Sequence, residues 1–216
     1  IYSQQTERGL GLTREAAERF TALGDLRMAC SLNIVASNCL EHLGDLEAAE
    51  RSLSALTDLA EKLGAAHLVV YQRTMLSRMF MHRGRLDEAW IGLDRSRHLL
   101  LGRRDRRSEG VVRLQLAEYW LLRGDPGQAE AEARCACERL EHQRPFATWG
   151  VALLCRSLLE QGKVSEAAAL SGTLQAALIE LEMVEQQDLV LRTAIACRLA
   201  VGDRPGAEAL ADLALA

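Results

Sequence analysis

Lysine is almost missing from this chain of 216 residues, aromatics make up 4 % of it, and only three prolines occur. So few large rings exclude a core built on a handful of aromatic anchors. Burial must be spread over many leucines and alanines, each buried leucine contributing about 1.5–3 kcal/mol. Lys62 and Lys163 are the only lysines. Arginine carries the remaining positive charge, a bias that fits a GC-rich bacterial genome. The net charge of −4 and pI near 5.8 leave no broad basic surface for phosphates, so no nucleic-acid partner is expected. The one basic run, Arg103-Arg104-Asp105-Arg106-Arg107, falls between two helical stretches and reads as a solvated loop.

Other absences narrow the class further. No apolar run approaches the roughly 18 residues that would cross a bilayer, and no signal peptide opens the chain, so no membrane partner is expected. The chain begins at Ile1, which reads as a segment of a longer polypeptide. Six cysteines, Cys30, Cys39, Cys135, Cys137, Cys155 and Cys197, follow no disulfide framework, which favours a reducing cytoplasm. There is no phosphate-cradling loop before a lysine, no His-Glu-x-x-His, no serine in a glycine elbow and no strand pattern for a dinucleotide. Gly9-Leu10-Gly11 lacks both the preceding strand and a third glycine. The chain is therefore read as non-enzymatic and without a cofactor.

What the sequence does have is a ladder. Gly44, Gly84, Gly124, Gly162 and Gly202 stand 40, 40, 38 and 40 residues apart, and alanine follows each by five residues, at Ala49, Ala89, Ala129, Ala167 and Ala207. A period of this size marks a stacked repeat, in which each unit leans on its neighbours. About 16 residues before each glycine carry apolar positions at three-and-four spacing, an amphipathic helix, called helix A here. Glycine, often as Gly-Asp, supplies the left-handed backbone that ends it. A second helix, B, begins within two or three residues, as in Leu46, Ala49, Leu53, Leu56, Leu59 and Leu63. Pro126 and Pro205 stand at the start of two of these, where a missing N–H costs nothing. Helix B is expected to end near Gly64, Gly102, Gln143–Pro145 and the Glu182 region. Short links make each pair an antiparallel hairpin.

Register identifies the packing. Seven residues before the glycines stand Ser37, Ser77, Ala117, Cys155 and Ile195, four of them small. With the alanine column they allow helices A and B to approach closely. Bulky Leu40, Phe80, Trp120 and Leu158, four before the glycines, fill the adjacent space, and Arg198 breaks that column in the last unit.

These columns resemble the tetratricopeptide repeat family: small residue, bulky residue, turn glycine, a large apolar residue two later, alanine five later. Leu46, Leu86 and Val164 fit the apolar place, while Pro126 and Arg204 depart from it. The 40-residue unit is similar to the long-helix variety of kinesin light chains, cell-polarity adaptors and large bacterial signalling and transcription-regulating proteins. The resemblance implies an all-α, right-handed superhelical solenoid of antiparallel helix hairpins. Its expected layout is a degenerate helical unit over 1–25, then repeats at 26–65, 66–105, 106–144, 145–183 and 184–216 in one solenoid domain.

In that family helix A lines the concave groove, and carrying the groove positions onto this register selects three columns. They are Ser31, Tyr71, Val111, Trp149 and Leu189 at thirteen before the glycine; Asn38, Arg78, Glu118, Arg156 and Ala196 at six before; and His42, His82, Leu122 and Glu160 at two before. Ser31, Asn38, His42, Tyr71, Arg78, His82, Glu118, Trp149 and Arg156 form the candidate peptide-binding set, because aromatic and arginine side chains dominate hot spots. The aromatics equally fit as fillers between units. The family's clamp for chaperone tails is not reproduced, since Ile34 and Val35 stand beside Asn38. His42 and His82 occupy equivalent places, with Cys39 a turn from His42, but no fourth ligand recurs, so no metal is expected. Cys135-x-Cys137 splits across a helix and reads as packing.

The resemblance implies a protein- or peptide-binding scaffold within a larger bacterial signalling or transcription-regulating protein. The other reading is a domain that senses a ligand or peptide and controls an attached output domain. The apolar end ALADLALA, with Leu210, Leu213 and Leu215, reads as a surface for self-association.

Overall fold

The computed structural model describes residues 2–178 and 184–215, all in helices and short links, with no strand among them. The expected helix B end near Glu182 lies outside the described residues. The chain divides between Arg103 and Arg104 into two compact units.

The first unit holds α1 (Tyr2–Ala22), α2 (Leu26–His42), α3 (Leu46–Lys62), α4 (Ala66–His82) and α5 (Leu86–Leu100). Each packs on the next, and α2 also touches α4, so two A helices lie side by side with B helices outside them. The second unit holds α6 (Arg106–Leu122), α7 (Pro126–Leu140), α8 (Arg144–Glu160), α9 (Val164–Leu178), α10 (Val184–Ala200) and α11 (Arg204–Leu215). Here α6, α8 and α10 form the A layer, and α7, α9 and α11 pack between or beside them. No helix among the described residues is long and apolar enough to cross a membrane.

The turn glycines act through local backbone chemistry. Gly44 has φ of +81° and Gly124 +74°, a conformation that any side chain would strain. This bend lets the next N–H reach back: Asp45 N donates to Leu40 O at 2.9 Å and Gly44 N to Glu41 O at 2.9 Å, closing the orphan carbonyls of α2. Arg85 repeats the first bond to Phe80, Asp125 to Trp120, Lys163 to Leu158 and Asp203 to Arg198. The bulky column therefore both fills space and supplies the capped carbonyl. Aspartate after glycine then starts the following helix, with Asp45 Oδ1 accepting from Ala48 N at 3.1 Å and Asp125 Oδ1 from Gln128 N at 3.0 Å.

Behind the turns the small residues do what their register implies. Ala49, Ala89, Ala129 and Ala167 are fully buried. Ser37 Oγ donates to Ser52 Oγ at 3.0 Å across the α2–α3 hairpin, and Cys155 Sγ lies 3.6 Å from Ala167 O across the α8–α9 hairpin. Gly92 and Gly110 are closer still. A Cβ on Gly92 would lie 2.2 Å from Ser77 Oγ, and one on Gly110 would lie 2.4 Å from Leu140 Cγ.

Adjacent repeats are also clasped by charge at one register. Glu50, six after its turn glycine, accepts from Arg83 (2.6 Å) and Arg85 (2.8 Å), which flank the next glycine. In the second unit Glu130 holds the same place and accepts from Gln161 and Lys163, each at 2.7 Å. The hydrogen bonds from Lys163 and Arg134 hold the Glu130 carboxyl down to about 2.

The basic run departs from the expected loop. Only its first three residues lie in the link. Arg106 and Arg107 form the first turn of α6, where Arg106 donates to Glu138 O at 3.1 Å and Arg107 stacks 5.7 Å from the Phe146 ring centroid.

Candidate functional site

Six of the nine candidate residues fall in the first unit, on the A helices α2 and α4. Along α2, Met28, Ser31, Val35, Asn38 and His42 follow each other at spacings of three and four, so they share one face. Met28, Val35 and His42 are exposed, and Ser31 and Asn38 are half-buried. In equivalent register on α4, Tyr71 is 36 % exposed and His82 is also exposed, whereas Arg78 is buried. Two large apolar side chains, an aromatic and two imidazoles thus stand on the helix A face of one unit.

A buried ion pair ties the two helices beneath that face. Arg78 Nη2 of α4 donates to Glu41 Oε2 of α2 at 2.5 Å, with side chains 9 % and 8 % exposed. His82 Nδ1 stands 3.4 Å from the other carboxylate oxygen. Burial pushes the Glu41 carboxyl up, but the nearby His82 imidazole and the charge and hydrogen bond of Arg78 outweigh it and keep the carboxyl below its ordinary value. A pair held this far from water fixes geometry more than it stabilises, since desolvation consumes most of the attraction. Its consequence is a defined spacing between α2 and α4, with His82 held at the rim.

Register located Arg78, but Glu41 was missed. The signal was present: three before the glycine the chain has Glu41, Met81, Leu121, Leu159 and Leu199, one carboxylate in an apolar column.

The second unit holds the other three candidates, and they do not form a matching face. Trp149 is 5 % exposed and packs in the core with Val111, Leu153 and Leu174, so here the aromatic fills the interior and does not line a groove. Glu118 and Arg156 are half-buried. Arg156 makes no hydrogen bond or ion pair to another described residue.

Cys39 and His82 turn to different neighbours. The sulfur of Cys39 lies against Gly9 of α1, 3.8 Å from where a Cβ would stand, while His82 turns to Glu41. No three His, Cys, Asp or Glu side chains among the described residues converge as metal ligands would. All six cysteines are free thiols. Cys137 is largely buried, which raises its thiol to about 11, and its sulfur stands 2.9 Å from a Cβ built on Gly150. Leu210 of the apolar C-terminal run is buried in the second unit's core, contrary to its reading as surface, and the side chains of Leu213 and Leu215 lie outside the described residues.

Comparison with solved structures addresses the architecture. The structure of BtubC (BKLC) from P. vanneervenii superposes with a TM-score of 0.68 at 17 % sequence identity, covering 98 % of this chain and 87 % of that one. The fold is a tetratricopeptide-type helical repeat. TPR-like repeats of nearly identical sequence from a P. anserina kinesin-light-chain-type protein align with a TM-score of 0.62 at 16 % identity, over 83 % of this chain and 90 % of theirs. A point variant of those repeats gives 0.63 over 84 % of this chain. No protein-family profile and no curated sequence matches the chain. Likeness at this identity establishes the repeat architecture alone, and the long hairpins expected from the 40-residue period are the ones present.

Proposed function

We propose that this TPR-type chain is a protein- or peptide-binding module, and that the helix A face of the first unit, Ser31, Val35, Asn38 and His42 on α2 with Tyr71 and His82 on α4, is its recognition surface. The observation that carries this reading is the juxtaposition of exposed apolar groups, Met28, Val35 and Tyr71, with a buried Glu41–Arg78 pair that holds their two helices in fixed register. A rigid face with aromatic and aliphatic anchors loses little entropy when a peptide docks. The two imidazoles at its end, His42 and His82, suit a ligand that carries a carboxylate beside its apolar side chains.

Selection of peptides from a random display library against the full chain tests the reading. Val35→Asp and Tyr71→Ala are expected to weaken the selected peptides at least tenfold, and Leu12→Asp, at an exposed site on α1, to leave them unchanged. Peptides that bind all three variants equally would place recognition elsewhere.

The wider setting follows from composition. Arginine in place of lysine and six free thiols support a bacterial, cytoplasmic protein, in which this chain is an interaction segment of a larger signalling or transcription-regulating polypeptide. Self-association through the C-terminal helix belongs to the same proposal, and light scattering of the intact chain over a range of concentrations tests it. A second reading, a domain that senses a small effector for an attached output domain, is favoured by one observation: a cleft lined by apolar and charged side chains on the opposite flank of α4 from Tyr71 and His82.

A further inference from the structure

That cleft is an open one of about 450 Å³ between α3, α4 and α5, a volume within the range of small-molecule sites. Gly92 lets α5 approach α4 closely at its base, where any larger side chain would run into Ser77. Its apolar surface comes from Leu76 and Phe80 of α4 and from Ile91 of α5, a large aliphatic side chain left half exposed. At its base Ser77 is 1 % exposed, and its hydroxyl makes no hydrogen bond to any described residue. Such a group is costly to bury unless something bonds to it.

The charges around the cleft sort into two kinds. Arg73 is paired with Glu61, and Glu88 with Arg85 at 2.6 Å, so these four largely neutralise one another. Asp58 on the α3 wall and Arg95 on the α5 wall are different. Both are exposed, both border the cleft, and neither makes an ion pair or hydrogen bond with any described residue. An unpaired carboxylate and an unpaired guanidinium thus border one cavity from opposite sides, across apolar groups and a buried hydroxyl.

We infer that the α3–α4–α5 cleft binds a small zwitterion with an apolar side chain, an α-amino acid or a dipeptide. Asp58 takes the ammonium, Arg95 the carboxylate, and Leu76, Phe80 and Ile91 the side chain. The site deepens the effector-sensing reading and is separate from the peptide face, since its residues occupy another flank of α4.

Calorimetric titration of the full chain with L-phenylalanine, L-leucine and L-leucyl-L-phenylalanine tests it, with amide-proton NMR shifts mapping the site. At least one probe is expected to bind with shifts confined to α3, α4 and α5, and Asp58→Asn and Arg95→Gln to weaken it at least tenfold. Phenethylamine and 3-phenylpropionate, each lacking one charge, should bind at least tenfold less tightly than L-phenylalanine. Both substitutions are at exposed positions, and unchanged far-ultraviolet circular dichroism confirms their folding. Absence of binding by all three zwitterions, equal binding by a single-charge analogue, or retention in both variants overturns the inference. The peptides selected on the α2–α4 face should bind Asp58→Asn and Arg95→Gln unchanged, so failure of one reading leaves the other standing.

Discussion

Substitution of Gly92 by alanine has an effect whose sign depends on residue 77. An alanine Cβ at position 92 would sit 2.2 Å from Ser77 Oγ, yet 3.5 Å from Arg73 O and 3.6 Å from Ser77 Cβ. Only the hydroxyl collides. Forcing an atom into a packed hairpin costs about 1–3 kcal/mol. Replacing glycine inside a helix returns about 1 kcal/mol, because alanine loses less backbone freedom. Gly92→Ala alone should therefore destabilise the chain by roughly 0–2 kcal/mol. With Ser77→Ala the obstacle is gone, the remaining distances are ordinary contacts, and the same substitution should stabilise by up to about 1 kcal/mol. Ser77→Ala itself should be neutral to stabilising by about 1 kcal/mol, since it removes a buried hydroxyl that bonds to no described residue. Urea unfolding of the four proteins of this cycle measures the coupling, expected at about 1–3 kcal/mol. Equal effects of Gly92→Ala in both backgrounds, within a few tenths of a kcal/mol, would refute the packing argument.

Three further outcomes follow from the charged and capping groups. Arg78→Met leaves the Glu41 carboxylate buried without its main partner and should cost about 3–5 kcal/mol, most of it recovered by adding Glu41→Leu. Urea midpoints of the single and double variants check this. Because the folded-state pKa of Glu130 is depressed to about 2 and that of Glu41 is lowered, each contributes in full above the ordinary carboxylate value of 4.5; the Glu130 contribution is lost as pH falls from there towards 2, and that of Glu41 as pH falls through its lowered value. Unfolding midpoints measured down that range should drop, and Glu130→Gln should flatten the decline. Asp125→Ala removes the acceptor for Gln128 N and should cost about 1 kcal/mol by thermal unfolding, whereas Arg85→Ala removes no such cap.

Much of the fold was legible because its determinants are local. The turn glycines, the aspartates after them and the buried alanines each act within one hairpin, so their spacing alone placed helices A and B. The candidate site was legible only where it depends on register. Tyr71, Arg78 and His82 could be assigned to a face of α4, but exposure depends on what packs over a position, and that is not periodic. Trp149 shares its column with Tyr71, yet the core of the second unit covers it. Glu41 departs from an apolar column and Gly92 stands in a column of mixed residue types (Ser52, Gly92, Glu132, Leu170, Leu210), so each has meaning only once its partner, Arg78 or Ser77, is known. The division between Arg103 and Arg104 had no signal in the repeat period, which runs through it with spacing unchanged.

Amide hydrogen exchange of the full chain, with and without a peptide selected against it, tests the central claim most directly. The account predicts new protection in residues 28–42 and 71–82, where α2 and α4 carry Val35, Tyr71 and the imidazoles, and little change in the second unit. Protection confined to the second unit or to the B helices would contradict it.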